Sequence, residues 1–301
     1  MPEYFPRPVS PPTQLRGPLR VGLIGRRLQG SLSPFLHRRA AELAGVELQF
    51  ELVELAEASE LPGALRRLHQ ERWQGFSVTM PWKTRVGDHL LGQSPDAISI
   101  GGVNLLLRAD EGWIGENSDA EGFLRPLARR RLAFRRVLVV GTGGAARAVL
   151  HVLASMPFVE EVWVRGRRRE AAQLLVDEFG LEPRRWHALG WEDSLPGRAD
   201  LLVNATPLGT AGLFPDELPC PVEWIQPDST CYDLVYQPRA TPFVRAARER
   251  GAGVVEGLEM LTAQARRAFE AWTGRPFAED VLWRELELDP AGAPRPDAAH
   301  A

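Results

Sequence analysis

The 301-residue chain is 44% hydrophobic and 25% charged, with a formal charge of −3 and a pI near 6.1. That size accommodates two domains, and that charge excludes the basic footprint of a nucleic-acid-binding protein. No apolar run reaches membrane-span length, and the first residues lack the basic-then-apolar order of a secretion signal. Cys220 and Cys231 stand at no metal-ligand spacing. They read as reduced thiols, so the expectation is a cytoplasmic protein with no metal, no nucleic-acid partner and no membrane partner.

Residues 1–18 are rich in proline without periodicity, and residues 289–301 run Asp-Pro-Ala-Gly-Ala-Pro-Arg-Pro onward. Both read as mobile tails that bury too little surface to offset the entropy of ordering. Leu19–Ile24 reads as a buried strand, followed by the loop Gly30-Ser31-Leu32-Ser33-Pro34 and a helix to Ala44 that stops at Gly45. Ser33 suits the N-cap, Pro34 the first helical position and Gly45 the C-cap. A well-capped helix accounts for the loop; the sharper alternative is an anion site, because two hydroxyls and a helix N-terminus suit a carboxylate. Strand, helix and strand follow over Leu48–Val53, Glu57–Glu71 and Gly75–Thr79, an alternation that implies parallel strands with helical crossovers. The third strand empties into Thr79-Met80-Pro81-Trp82-Lys83. Ligands of open α/β sheets bind beyond the carboxyl ends of strands, which makes Thr79 and Lys83 candidate site residues.

Val103–Arg108 and Trp113–Gly115 flank Ala109-Asp110-Glu111-Gly112, a hairpin signal. Asn104 falls within the first of these strands, where an amide requires a hydrogen-bond partner. Glu116-Asn117-Ser118-Asp119 opens a helix to about Arg131, and Asp119 alone could be a charge favoured by the helix dipole. The arginines at 125, 129, 130, 131, 135 and 136 read as a solvated face and a domain junction.

Val137–Val140 is a β-branched and aliphatic run that ends in Gly141-Thr142-Gly143-Gly144-Ala145-Ala146, and a helical pattern begins at once. This is a Gly-x-Gly-x-x-Ala turn between strand and helix. Gly141 permits the tight turn, Gly143 lets a diphosphate approach the backbone, and Ala146 lets helix and strand pack closely. The helix then aims unpaired N–H groups and a positive dipole end at the anion. The next strand, Val159–Val164, ends in Arg165-Gly166-Arg167-Arg168-Arg169, with no carboxylate until Glu170. An acid near this point selects the ribose hydroxyls of NAD, whereas arginine selects the 2′-phosphate of NADP. The charge points to NADP through Arg165 and Arg167; a solvated basic loop is the alternative. Strands at Asp200–Asn204 and Thr230–Leu234, a helix at Thr241–Arg250 and a strand at Gly253–Val255 complete this half. Leu258, Leu261, Ala265 and Phe269 then repeat at helical spacing and suit a helix returning to the first domain, with Gln264 its polar exception.

In order and spacing, these pieces resemble the shikimate dehydrogenase family from about Leu19 to Leu288. The residues that carry the resemblance are Ser31-Leu32-Ser33-Pro34 with His37, Val78-Thr79-Met80-Pro81-Trp82-Lys83, Gly102-Val103-Asn104 and Asn117-Ser118-Asp119. The glycine turn, Asn204-Ala205-Thr206-Pro207, Tyr232 to Tyr236 with Thr241-Pro242, and Gly257 to Gln264 continue it. The resemblance implies Lys83 and Asp119 as the catalytic pair, Ser31 and Ser33 on the substrate carboxylate, and Thr79, Asn104, Tyr236 and Gln264 on the rest of the substrate. It implies cofactor contacts from Gly141, Thr142, Gly143, Gly144, Ala145, Ala205, Thr206, Leu234 and Gly257, beside Arg165 and Arg167. Ser77 stands where the family usually has asparagine, Leu105 where it has threonine after Asn104, and Ser118 where it has the central threonine of Asn-Thr-Asp.

The implied fold is α/β with two domains. Residues 19–119 form a substrate domain with a mostly parallel sheet, 120–256 a Rossmann-type NADP-binding domain, and 257–288 helices that return to the first. The implied reaction is NADP-dependent, reversible reduction of 3-dehydroshikimate to shikimate by a monomer or homodimer. Alternatives are a quinate or quinate/shikimate dehydrogenase using NAD, a two-domain dehydrogenase of the methylenetetrahydrofolate type, and a non-catalytic NADP-binding sensor.

Overall fold

Alternating apolar strands and amphipathic helices resolve into two six-stranded sheets. The computed structural model describes residues 17–180 and 185–286, so the expected tails lie outside the described residues apart from Gly17 and Pro18. The described chain forms two compact units, the first running to Glu121 and including Thr262–Leu286, the second spanning Gly122–Leu261. No helix among the described residues is long and apolar enough to cross a membrane.

In the first unit, β1 (Leu19–Gly25), α1 (Ser33–Leu43), β2 (Leu48–Glu54), α2 (Leu61–Gln70) and β3 (Gly75–Val78) follow in order. β4 (Gly92–Gln93), α3 (Pro95–Ile100), β5 (Leu105–Arg108), β6 (Trp113–Glu116) and the start of α4 (Asp119–Arg129) complete its first stretch. The sheet order is β2-β1-β3-β5-β6-β4, parallel through β2, β1 and β3 and antiparallel from β3 to β5 to β6. β1 is almost continuously apolar because both faces of a parallel strand are covered. On one face Leu61, Leu65 and Leu68 of α2 pack with Phe76, Val78 and Trp113. The opposite face of β3 needs glycine at 75, since a Cβ there would strike the Trp272 indole, whose Nε1 donates to the Leu106 carbonyl at 3.2 Å.

Local details correct the sequence reading. Ser33 lies inside α1 rather than capping it; Leu32 is the N-cap and makes no side-chain bond. The Ser31 hydroxyl instead accepts the Ser33 N–H at 3.3 Å, while Gly45 closes the helix at φ +63° as expected. α3, absent from the sequence reading, is too short for periodicity to reveal. Its ends carry ordinary signals: Ser94 Oγ accepts the Ala97 N–H at 3.2 Å, and Gly101 takes φ +66°.

The second unit contains β7 (Arg136–Val140), α5 (Gly144–Ser155), β8 (Glu161–Arg165), α6 (Arg169–Phe179), β9 (Arg185–Leu189) and β10 (Leu201–Asn204). β11 (Thr230–Asp233), α7 (Pro242–Glu249), β12 (Gly253–Val255) and the start of α8 (Gly257–Thr273) follow, and α9 (Glu279–Glu285) belongs to the first unit. The order is β12-β11-β10-β7-β8-β9, every pair parallel. Registers bring four strand ends level, with Arg165 beside Val140, Val140 beside Asn204, and Asn204 beside Asp233. This row is the carboxyl edge of the sheet, and the glycine turn leaves from its middle. The arginines expected to be solvated divide. Arg130 is mostly covered and pairs with Glu259 through bonds of 2.5 and 2.8 Å, whereas Arg136 pairs with Asp200 at 2.9 Å and is more exposed.

Candidate active site

Lys83 lies in the short turn after β3, where its carbonyl accepts the Val103 N–H at 2.7 Å and so ties the turn to the chain entering β5. Its Nζ meets Asp119 Oδ2 at 2.6 Å, with the lysine side chain 15% exposed and the aspartate fully buried. Asp119 opens α4, and the Asn117 side-chain oxygen accepts its N–H at 2.8 Å, which fixes the carboxylate at the helix start. The remaining oxygen, Oδ1, accepts from Asn104 Nδ2 at 2.9 Å and from Gln264 Nε2 of α8. Asn104 is held in turn by Ser118, whose N–H donates to Asn104 Oδ1 at 2.6 Å. A buried carboxylate thus receives one cation and two amides, the satisfaction that burial of a charge demands.

The structure therefore brings Lys83, Asp119, Asn104 and Gln264 together in the first unit. Thr79 lies at the carboxyl end of β3, its N–H donating to the Ile24 carbonyl at 2.9 Å. Ser31 lies just before α1, and its hydroxyl accepts the N–H of Ser33, the first residue of that helix. Tyr236 lies beyond β11 in the second unit. His37 is a packing residue, stacked on Phe50 at 5.6 Å and tilted against Trp272 at 5.0 Å, and burial pulls its imidazole down to about 3. Ser77 and Leu105 are register partners across β3 and β5, so these two departures from the family pattern face one another. The sequence reading missed the positioning work of Asn117 and Ser118; the Asn-x-Asp spacing carries the signal of an Asx turn.

In the second unit Gly141 adopts φ +125°, and a Cβ there would lie 2.6 Å from the Ala205 carbonyl oxygen. Gly143 has open space where its Cβ would be, and α5 begins at Gly144. Ala146 is fully buried beneath the turn. These are the steric conditions under which a diphosphate can reach a helix N-terminus, so the turn fits a dinucleotide.

The Arg165 expectation does not hold. β8 extends one residue beyond its apolar run, so Arg165 is its last residue and is 4% exposed. Its guanidinium lies between the Trp191 and Trp224 rings, 4.3 and 4.7 Å from their centres, and donates to the Pro219 and Trp191 carbonyls. Burial lowers its pKa from the usual arginine value. Arg167, by contrast, is exposed, as is Arg168, and among the described residues neither guanidinium has a hydrogen-bonded or ion-paired partner.

At the other end of the row, Asn204 Nδ2 donates to Asp233 Oδ1 at 2.8 Å, and Asn204 Oδ1 accepts Thr206 Oγ1 at 2.6 Å. Asp233 also receives Thr241 Oγ1 at 2.5 Å and the Val235 N–H at 3.0 Å. Burial pushes its carboxyl up to about 6 against these donors. This network holds the loops carrying Ala205, Thr206 and Leu234, and α8 starts at Gly257, where a Cβ would lie only 2.7 Å from the Leu234 carbonyl oxygen.

Two family models match: the shikimate dehydrogenase substrate binding domain over residues 23–106 and the shikimate 5′-dehydrogenase C-terminal domain over 257–287. A shikimate dehydrogenase (NADP(+)) of Thermus thermophilus is 38% identical, covering 85% of this chain and 93% of the relative. The chain belongs to the shikimate dehydrogenase family. Another such protein, from Pelodictyon phaeoclathratiforme, is 34% identical over 84% of this chain and 91% of its own length. The crystal structure of the Thermus thermophilus shikimate 5-dehydrogenase with NADP(H) and shikimate superposes with a TM-score of 0.78 at 34% identity, covering 89% of this chain and 98% of that one. The two sheets of the present chain thus have the architecture of the shikimate dehydrogenase family.

Proposed function

We propose that the chain reduces 3-dehydroshikimate to shikimate reversibly with NADPH, and that Lys83 and Asp119 form its catalytic pair. The observation that carries the assignment is the 2.6 Å contact between Lys83 Nζ and a fully buried Asp119, beyond the ends of β3 and β6. Bound NADPH supplies the hydride for reduction and bound NADP accepts it in the reverse direction. Lys83 donates a proton from Nζ to the oxygen as the carbonyl is reduced, and takes it back in oxidation. Asp119 holds the Lys83 side chain in place through the contact at Oδ2. Asn104 and Gln264 orient Asp119, while Ser31 and Ser33 suit the substrate carboxylate and Thr79 and Tyr236 its hydroxyls.

For the cofactor, the Gly141–Ala145 turn suits the diphosphate, with Ala205, Thr206, Leu234 and Gly257 bordering the nicotinamide end. The guanidiniums of Arg167 and Arg168, exposed and unpaired among the described residues, support selection of the 2′-phosphate. On this reading residues 19–119 and 257–288 serve the substrate and 120–256 the cofactor. The buried free thiols Cys220 and Cys231 are consistent with a cytoplasmic setting.

The test is nicotinamide absorbance with shikimate or quinate, each paired with NADP and NAD. The shikimate–NADP pair is expected to give the highest kcat/KM. Faster turnover of quinate with NAD would replace the reading, and tight NADP binding without turnover of either acid would make the protein a sensor.

A further inference from the structure

Five consecutive residues, Arg165 to Arg169, carry four arginines, and the structure uses them in two different ways. The outer pair is engaged with the loop after β9. Arg165 stacks on Trp191 and donates to its carbonyl, while Arg169 pairs with Asp193 at 2.9 Å. Asp193 is itself fixed by the Gly190 N–H at 2.8 Å. The inner pair, Arg167 and Arg168, is exposed, and its side chains are unpaired among the described residues.

The cost of burying Arg165 shows that it is more than filler. Among the described residues its Nε has no acceptor, and no carboxylate lies within ion-pair distance of the guanidinium. A methionine at this position would fill comparable space without desolvating a charge. The guanidinium provides what an aliphatic chain lacks: two flat faces for indoles and separate donors for two carbonyls. Those partners lie on two different loops, Trp191 after β9, and Pro219 and Trp224 before β11. Gly166 adds a third restraint, because its N–H donates to the Leu189 carbonyl at 3.0 Å and a Cβ on it would lie 2.8 Å from Thr142 Cγ2 of the glycine turn. The backbone between the outer arginines is therefore pinned against both the loop after β9 and the diphosphate turn.

We propose that Arg165 is a positioning residue for cofactor choice, a buried clamp between Trp191 and Trp224 that holds the turn so Arg167 and Arg168 meet the 2′-phosphate together. This rests on the assignment of NADP as cofactor. The guanidinium of Arg165 touches no ligand itself; it sets the turn from which two other guanidiniums act.

Binding to the full chain is measured by calorimetry with two probes, adenosine 2′,5′-bisphosphate and ADP, which differ in the 2′-phosphate. The wild type is expected to favour the bisphosphate. Arg165→Met should lose about tenfold of that preference while ADP affinity stays within twofold. Arg165→Lys should do no better, because an ammonium cannot fill the space between two indoles and reach two carbonyls. Trp224→Leu, a milder change that keeps the arginine, should lose about threefold and covers the case in which Arg165→Met does not fold. Full preference in Arg165→Lys would overturn the clamp in favour of charge alone. Full preference in folded Arg165→Met or in Trp224→Leu would overturn it as well. If Arg167→Ala/Arg168→Ala abolishes the preference while the Arg165 variants keep it, the clamp falls and the NADP assignment stands. A wild type without preference removes both.

Discussion

Two buried aspartates, Asp119 in the first unit and Asp233 in the second, are held in nearly the same way. Each accepts from an asparagine amide, Asn104 at 2.9 Å and Asn204 at 2.8 Å. Each asparagine is oriented through its own oxygen by a serine or threonine, Ser118 in one case and Thr206 in the other. They differ in the last partner. Asp119 meets the Lys83 ammonium at 2.6 Å, whereas Asp233 has the Thr241 hydroxyl and the Val235 N–H. A caged carboxylate with a cation can fix a proton donor. The same cage built from neutral donors ties loops together, and its carboxyl is driven up to about 6 by burial.

The largest expected difference between the two cages is catalytic. Lys83→Ala should lower kcat by about 10²–10⁴ with KM changed by a few-fold, because proton donation acts in the transition state. Steady-state kinetics in the reduction direction checks this, and a collapse of KM with kcat preserved would make Lys83 a binding residue.

The second difference is in stability against pH. The native carboxyl of Asp233 titrates near 6, above its unfolded value of about 4, so the native state holds more protons between those limits. Its contribution is complete below about pH 4 and lost as pH rises through 6, on the order of 3 kcal/mol at most. Urea unfolding at intervals from pH 4 to 7 should show that downward slope in the wild type and a weaker one in Asp233→Asn. An equal slope in the variant would assign it to other groups.

Smaller again is the effect of charge in the second unit. Arg167→Ala/Arg168→Ala should raise KM for NADPH about 10–100-fold relative to NADH, the worth of one or two charge-assisted bonds. Equal changes with both cofactors would remove the phosphate reading.

How much of this was legible depends on how local each cause is. Most strands and helices followed from periodicity, though not the short β4 and α3 or the α6 and β9 that follow the basic turn, and the glycine turn followed from three residues whose steric roles are set by their neighbours in sequence. Lys83 lay beyond a strand end, but nothing nearby told it from a solvated lysine. Its partner is brought over by the β5–β6 hairpin, and the family resemblance supplied what local sequence lacked. The Arg165 expectation failed for the same reason. The sign of charge in a basic turn is visible, whereas the two indoles that bury one of its arginines arrive from loops after β9 and before β11. Ser33 shows a finer limit: both hydroxyls suit a helix start, and only the backbone shows that neither serine is the N-cap, a place Leu32 takes.

Ser118→Ala offers the smallest and most discriminating test of the two cages. Ser118 Oγ lies 3.0 Å from Nδ2 and 3.2 Å from Oδ1 of Asn104, while the backbone N–H that holds Asn104 survives the substitution. Loss of one such contact is worth about 1 kcal/mol. If the Asp119 cage serves chemistry, that energy should appear as a fall in kcat of about threefold to tenfold, because a loosened Asn104 lets the carboxylate drift from Lys83. A lower melting temperature with kcat unaltered would mean that the Asp119 cage, like that of Asp233, does no more than hold the chain together.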